Sequence, residues 1–131
     1  LILARALYNR PRILFLDETG AGNLDQLILL RVAGYEVEYF DNLLMALNHY
    51  QLMRTTQWPC ELIIAAVERH EVNADIELLI DRCEKLLLVD KQDPDVRLFC
   101  CRETQTLHCP SGKLPVVVAS ILDEDRNPLF A

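Results

Sequence analysis

The sequence predicts a three-layer α/β/α sandwich built on a mostly parallel five-stranded sheet. Three observations lead there. Runs of strand length, "RILFLD" (12–17), "CELIIAAV" (60–67) and "KLLLVD" (85–90), are apolar almost throughout, as strands covered on both faces are. Segments of helical spacing separate them, and strands alternating with helices imply parallel pairing through crossovers. The composition, 51% hydrophobic and 25% charged, supplies a core. At 131 residues without a linker or low-complexity tract, the chain reads as a single domain, 1–131.

Taken in order, residues 1–10 predict a leading helix, because "ILARAL" is rich in helix formers and Pro11 ends it. "RILFLD" is the first strand. In "NLDQLILLRVA" (23–33) the leucines at 24, 27 and 30 suit one helical face. "GYEVEYF" (34–40) is a second strand opening on a glycine, the residue that commonly stops a helix. "DNLLMALNHYQLM" (41–53) begins with Asp41 and Asn42, both good caps. After the break at Trp58-Pro59, with Trp58 as a loop aromatic at the sheet edge, segment 54–84 adds a strand and a helix. That helix, "NADIELLIDRCE" (73–84), carries an apolar stripe at Ile76, Leu79, Ile80 and Cys83. "KLLLVD" is the fourth strand, "VRLFCCRETQTLH" (96–108) the next helix, "PSGK" a turn, and "LPVVVASIL" (114–122) the fifth strand.

Charge and composition exclude several functions. A net charge of −7 opposes binding to a phosphate backbone, which usually calls for a basic surface. No apolar run approaches the length that spans a membrane. The start lacks a signal-peptide pattern and reads as the interior of an open reading frame, so a cytoplasmic location is expected. Cys60, Cys83, Cys100, Cys101 and Cys109 include no C-x-x-C pair and read as reduced thiols. His49, His70 and His108 are scattered over different elements and read as solvated.

In parallel α/β sheets, ligands bind beyond the carboxyl ends of the strands. Asp17, Glu18 and Asp90 fall at predicted carboxyl ends, and Ser120 lies in the last predicted strand near its end. Three acids and a hydroxyl are thereby expected at one rim.

These residues resemble a response-regulator receiver domain. "RILFLDE" is similar to the first receiver strand, which ends in a Mg²⁺-binding acidic pair. "GYEVEYFDNLLMAL" resembles the second strand and helix. "LLLVDKQDPD" resembles the phosphoacceptor strand, with Asp90 at the acceptor position and Pro94 following, and "LPVVVAS" places Ser120 at the switch hydroxyl. The resemblance implies a flavodoxin-like fold in which Asp17, Glu18 and Asp90 hold Mg²⁺ and Asp90 accepts a phosphoryl group. Ser120 would bond that group. It implies a bacterial two-component phosphorelay, a sensor kinase or other signalling protein as partner, and no enzymatic activity beyond metal-assisted self-phosphorylation. The metal would neutralise the incoming phosphoryl group and the acceptor together.

This sequence departs from the pattern in two places. Segment 54–84 is additional; if "CELIIAAV" were the acceptor strand, Ala66 would occupy the acceptor position, and the chain would be a pseudo-receiver working through protein contacts. The family's fifth-strand lysine has no counterpart, which implies a C-terminally truncated form whose uncovered edge and apolar end, with Leu129 and Phe130, favour a homodimer. Residues 1–18, "LILARALYNRPRILFLDE", also resemble the Walker B region of ABC-transporter ATPases, where Asp17 would serve Mg²⁺ and Glu18 an attacking water. No G-x-x-x-x-G-K-[ST] phosphate loop accompanies it.

Overall fold

The computed structural model describes residues 10–18, 24–67, 73–90, 95–100, 103–109 and 113–126. The leading helix expected over 1–10 and the "PSGK" turn lie outside them, Arg10 and Lys113 excepted, as do Pro94, Cys101, Leu129 and Phe130. Six strands and four helices are described: β1 (Arg12–Asp17), α1 (Leu24–Val32), β2 (Glu36–Phe40), α2 (Leu43–Arg54), β3 (Cys60–Val67), α3 (Ala74–Arg82), β4 (Lys85–Asp90), β5 (Asp95–Cys100), β6 (Glu103–His108) and α4 (Leu114–Arg126).

The strands form one mixed sheet in the order β2-β1-β3-β4-β5-β6. β2, β1, β3 and β4 run parallel, while β5 pairs antiparallel with β4 and β6 antiparallel with β5. Side chains alternate between two cores. On one face Ile13, Phe15, Leu62, Ile64 and Leu87 meet Leu27 and Leu30 of α1 and Leu114, Val117, Val118, Ile121 and Leu122 of α4. On the other, Leu14, Leu16, Ile63, Leu86 and Leu88 meet Ala46, Leu47, Tyr50 and Met53 of α2 and Ile76 and Leu79 of α3. Two helix layers thus cover the parallel strands, which explains their near-continuous apolar composition.

Local chemistry sets the boundaries. α1 ends at Gly34, whose φ of 103° suits a residue without a Cβ. Tyr35 N–H donates to Leu30 O (3.2 Å) and Gly34 N–H to Arg31 O (3.1 Å), the paired bonds of a Schellman stop. Asn42 caps α2 by accepting from Met45 N, and Asn73 caps α3 by accepting from Ile76 N.

Two expectations are corrected. Residues 96–108 are a hairpin, not a helix: β5 alternates buried Val96 and Leu98 with half-buried Asp95 and Arg97, and β6 brings Thr104 and Thr106. Its two strands stay in register over six pairs, from Asp95↔His108 to Cys100↔Glu103. Residues 114–122 belong to α4, not to a fifth strand. Val116, Val117 and Val118 are β-branched, yet Leu114, Val117, Val118, Ile121 and Leu122 recur at helical spacing and are all buried. Packing overrides propensity here, and Pro115 falls in the first turn, where its missing N–H costs nothing. The five-stranded, mostly parallel sheet thereby becomes a six-stranded mixed one.

Candidate functional site

The carboxyl ends of β1, β3 and β4 are the place to test the acidic rim. Asp17 closes β1 with only 1% of its surface exposed. Alternation along β1 turns it, with Ile13 and Phe15, toward the α1/α4 face. Tyr39 of β2 lies on that side, its ring stacked 6.3 Å from Phe15. Desolvation, followed by the negative charges of Asp17 and Asp41, holds the Tyr39 phenol above its ordinary pKa.

Glu18 follows immediately, but its carboxylate is committed elsewhere. Leu43 N–H donates to Glu18 Oε2 at 3.2 Å. Leu43 is the first residue of α2, so Glu18 places negative charge at a helix N-terminus and satisfies a donor that the helix cannot.

Asp90 closes β4 and is 9% exposed. It pairs with Val67 of β3, whereas Asp17 pairs with Ala66. β3 therefore stands between the two aspartates, a separation of two inter-strand spacings, roughly 9 to 10 Å. Alternation also turns Asp90, with Leu86 and Leu88, toward the α2/α3 face, opposite to Asp17. Both aspartates are engaged by neighbouring groups. Ser120 is not at a strand tip; it is an exposed residue of α4 whose Oγ donates to Val117 O at 2.8 Å, a local bond to the turn below.

The expected rim thus divides. Glu18 is held at the α2 terminus beside a buried Asp17, Asp90 lies beyond β3 on the opposite face, and Ser120 sits on a helix. Mg²⁺ asks for an octahedral set of oxygens from one or two carboxylates plus water. Among the described residues no grouping of three or more His, Cys, Asp or Glu is placed to hold a metal ion. Asp17, Glu18 and Asp90 do not fit that role together.

A polar cluster that sequence reasoning missed lies between β2 and α2. Arg12 Nη2 donates to Glu38 Oε1 at 2.6 Å and Nη1 to Trp58 O at 2.9 Å, with the guanidinium 4.6 Å over the Trp58 ring. His49 Nε2 lies 2.5 Å from Glu38 Oε2, and its ring packs 5.3 Å from Phe40. His49 is therefore half-buried and paired, not solvated; the one available signal was the polar alternation of Glu36 and Glu38 around Val37 in β2. His108 pairs with Asp95 at 3.0 Å on the hairpin, and His70 lies outside the described residues.

At the opposite end of the sheet, a cavity of about 280 Å³ is lined by Tyr50, Arg54, Cys60, Glu61, Glu84 and Lys85, among others. Burial pushes the Cys60 thiol up to about 11 and the Cys83 thiol up to about 12. Thiols so far from ionisation near neutral pH are poor nucleophiles. Neither Cys60 nor Cys83 forms a disulfide.

No helix among the described residues is long and apolar enough to cross a membrane. Comparison with protein families, with curated proteins and with solved structures finds no match for this chain.

Proposed function

We propose that this chain is a non-catalytic, receiver-like module that acts through protein contacts, contacts with a second copy of itself included. One observation carries the reading: Ala66 stands level with Asp17 on the neighbouring strand. In the flavodoxin-like order 2-1-3-4-5, the strand beside the first is the third, and this sheet follows that order as far as β4. The acceptor position of the receiver pattern then falls on β3, where a methyl group cannot take a phosphoryl group. The antiparallel β5 departs from the pattern. The engagement of Glu18 at the α2 terminus supports the same reading, because it occupies an acid that a metal would need.

The test is mass spectrometry after incubation with Mg²⁺ and a small acyl phosphate, with Asp90→Ala as control. The expected result is no phosphoryl adduct on either protein. An adduct on the parent chain that disappears in Asp90→Ala would overturn the proposal and restore phosphoryl acceptance.

A further inference from the structure

The cavity at the amino ends of β3 and β4 gathers four charged residues around a phenol. Arg54 and Lys85 supply two cations, Glu61 and Glu84 two carboxylates, and Tyr50 stands among them. Tyr50 is 4% exposed. Its oxygen accepts from Glu84 N–H at 3.4 Å, and among the described residues its own O–H donates to nothing. A phenol donates as well as accepts, and a buried polar hydrogen calls for an acceptor. Desolvation, ahead of several smaller causes, raises the Tyr50 pKa, so the donor persists at neutral pH.

We propose that this cavity binds a small zwitterion of the α-amino acid class. Tyr50 O–H and the Arg54 guanidinium take its carboxylate, and the Glu84 carboxylate takes its ammonium group. The inference goes beyond the interaction-module reading and does not depend on it.

The charges that would do this are available. Lys85 and Glu61 are engaged by neighbouring groups. Among the described residues, neither the Arg54 guanidinium nor the Glu84 carboxylate forms a hydrogen bond or ion pair, and both residues are exposed. Tyr50 lies between them: Arg54 sits 5.9 Å over its ring, while Glu84 N–H reaches its oxygen. Arg54 ends α2 and Glu84 precedes β4, so opposite charges enter from different elements. Two cations against two acids leave the wall neutral as a whole. A lone anion or a lone cation is attracted by one pair and opposed by the other, whereas a zwitterion satisfies both. A volume of about 280 Å³ lies just under the roughly 300 Å³ at which drug-sized pockets begin, which suits one small molecule.

The experiment is a nuclear magnetic resonance titration of the full, isotope-labelled chain with four probes. Glycine and L-valine carry both charges, isovalerate is valine without its amino group, and isobutylamine is valine without its carboxylate. At least one of the two amino acids should shift the Cys60, Glu61 and Glu84 amides saturably, with a dissociation constant of about 1 mM or tighter. Isovalerate and isobutylamine should bind at least tenfold more weakly than that amino acid. Tyr50→Phe, which keeps the ring and removes the O–H, should weaken amino-acid binding about tenfold, as should Arg54→Gln. Glu84→Gln should bring the amino acid down to the level of isovalerate. Circular dichroism checks each fold, and the exposed positions 54 and 84 test the site even where Tyr50→Phe unfolds. Saturable shifts from neither amino acid, or amino-acid binding unchanged in Arg54→Gln and Glu84→Gln, overturn the site. Isovalerate or isobutylamine binding as tightly as the amino acid overturns the zwitterion.

Discussion

The two edges of the sheet are finished by different means. At β2 one edge carbonyl is capped: the Arg31 guanidinium reaches over from α1 and donates twice to Val37 O. At β6 no strand follows among the described residues, and Glu103, Thr104, Gln105 and Thr106 are exposed on both faces. The first edge is capped by one side chain; the second is kept hydrophilic along its length. Both answer the hazard of unpaired strand edges. The difference follows from cover. β1, β3 and β4 lie under two helix layers and are apolar, and β2 at their margin offers Val37 O to the helix packed beside it. β6 sends only Leu107 against a core and is otherwise free to be polar.

The comparison breaks first in the core. Phe15→Ala, at a fully buried position of the central parallel strand, should cost about 3 to 5 kcal/mol in chemical denaturation. A loss under about 1 kcal/mol would mean that the parallel half is not the stable one.

Alkaline titration sharpens the same contrast. Cys60 and Cys83 belong to the parallel half, and burial raises both thiols from 9.0, to about 11 and about 12. A raised folded-state pKa means that the unfolded chain loses its proton first. Their contribution is fully present below pH 9 and is lost as pH rises from there through 11 and 12. The denaturation midpoint should therefore fall above pH 9, by on the order of 1 kcal/mol or more per thiol. Cys83→Ala should fall less steeply; an identical slope would remove the thiols as the cause.

The smallest effects read the edges themselves. Arg31→Ala should cost about 1 kcal/mol by uncapping Val37 O. Thr104→Ala on β6 should stay within about 0.5 kcal/mol, the range of ordinary surface changes. Equal losses at the two sites, by urea denaturation, would show that the edges are finished alike.

In the parallel half, β1, β3 and β4 were legible as apolar runs that begin and end where "RILFLD", "CELIIAAV" and "KLLLVD" do, and β2 as the β-rich "EVEYF" that follows a glycine stop. The remainder was ambiguous in its local signals. Three consecutive valines favour a strand until the spacing of Leu114, Val118, Ile121 and Leu122 is weighed against them. In "VRLFCCRETQTLH", period-two alternation is visible only over Val96 to Leu98, so the hairpin reads as a helix. For the site, the strand-end placement of Asp17 and Asp90 could be read directly. Which strands are neighbours could not, because lateral order is set by crossovers and not by any residue in the strands. That one unknown decides whether Asp17 faces Asp90 or Ala66.

Trp58 is the one tryptophan of the chain. Its indole N–H donates to Arg10 O at 2.7 Å and its ring carries the Arg12 guanidinium. Intrinsic emission is therefore a point reading taken at the amino end of β1, and the β5–β6 hairpin contributes no indole signal. Fluorescence will follow the melting of the parallel strands alone, while far-ultraviolet dichroism averages over the whole backbone. Superimposable curves from the two optical probes would mark a single cooperative unit. An earlier dichroism transition would mark a hairpin that lets go before the indole notices.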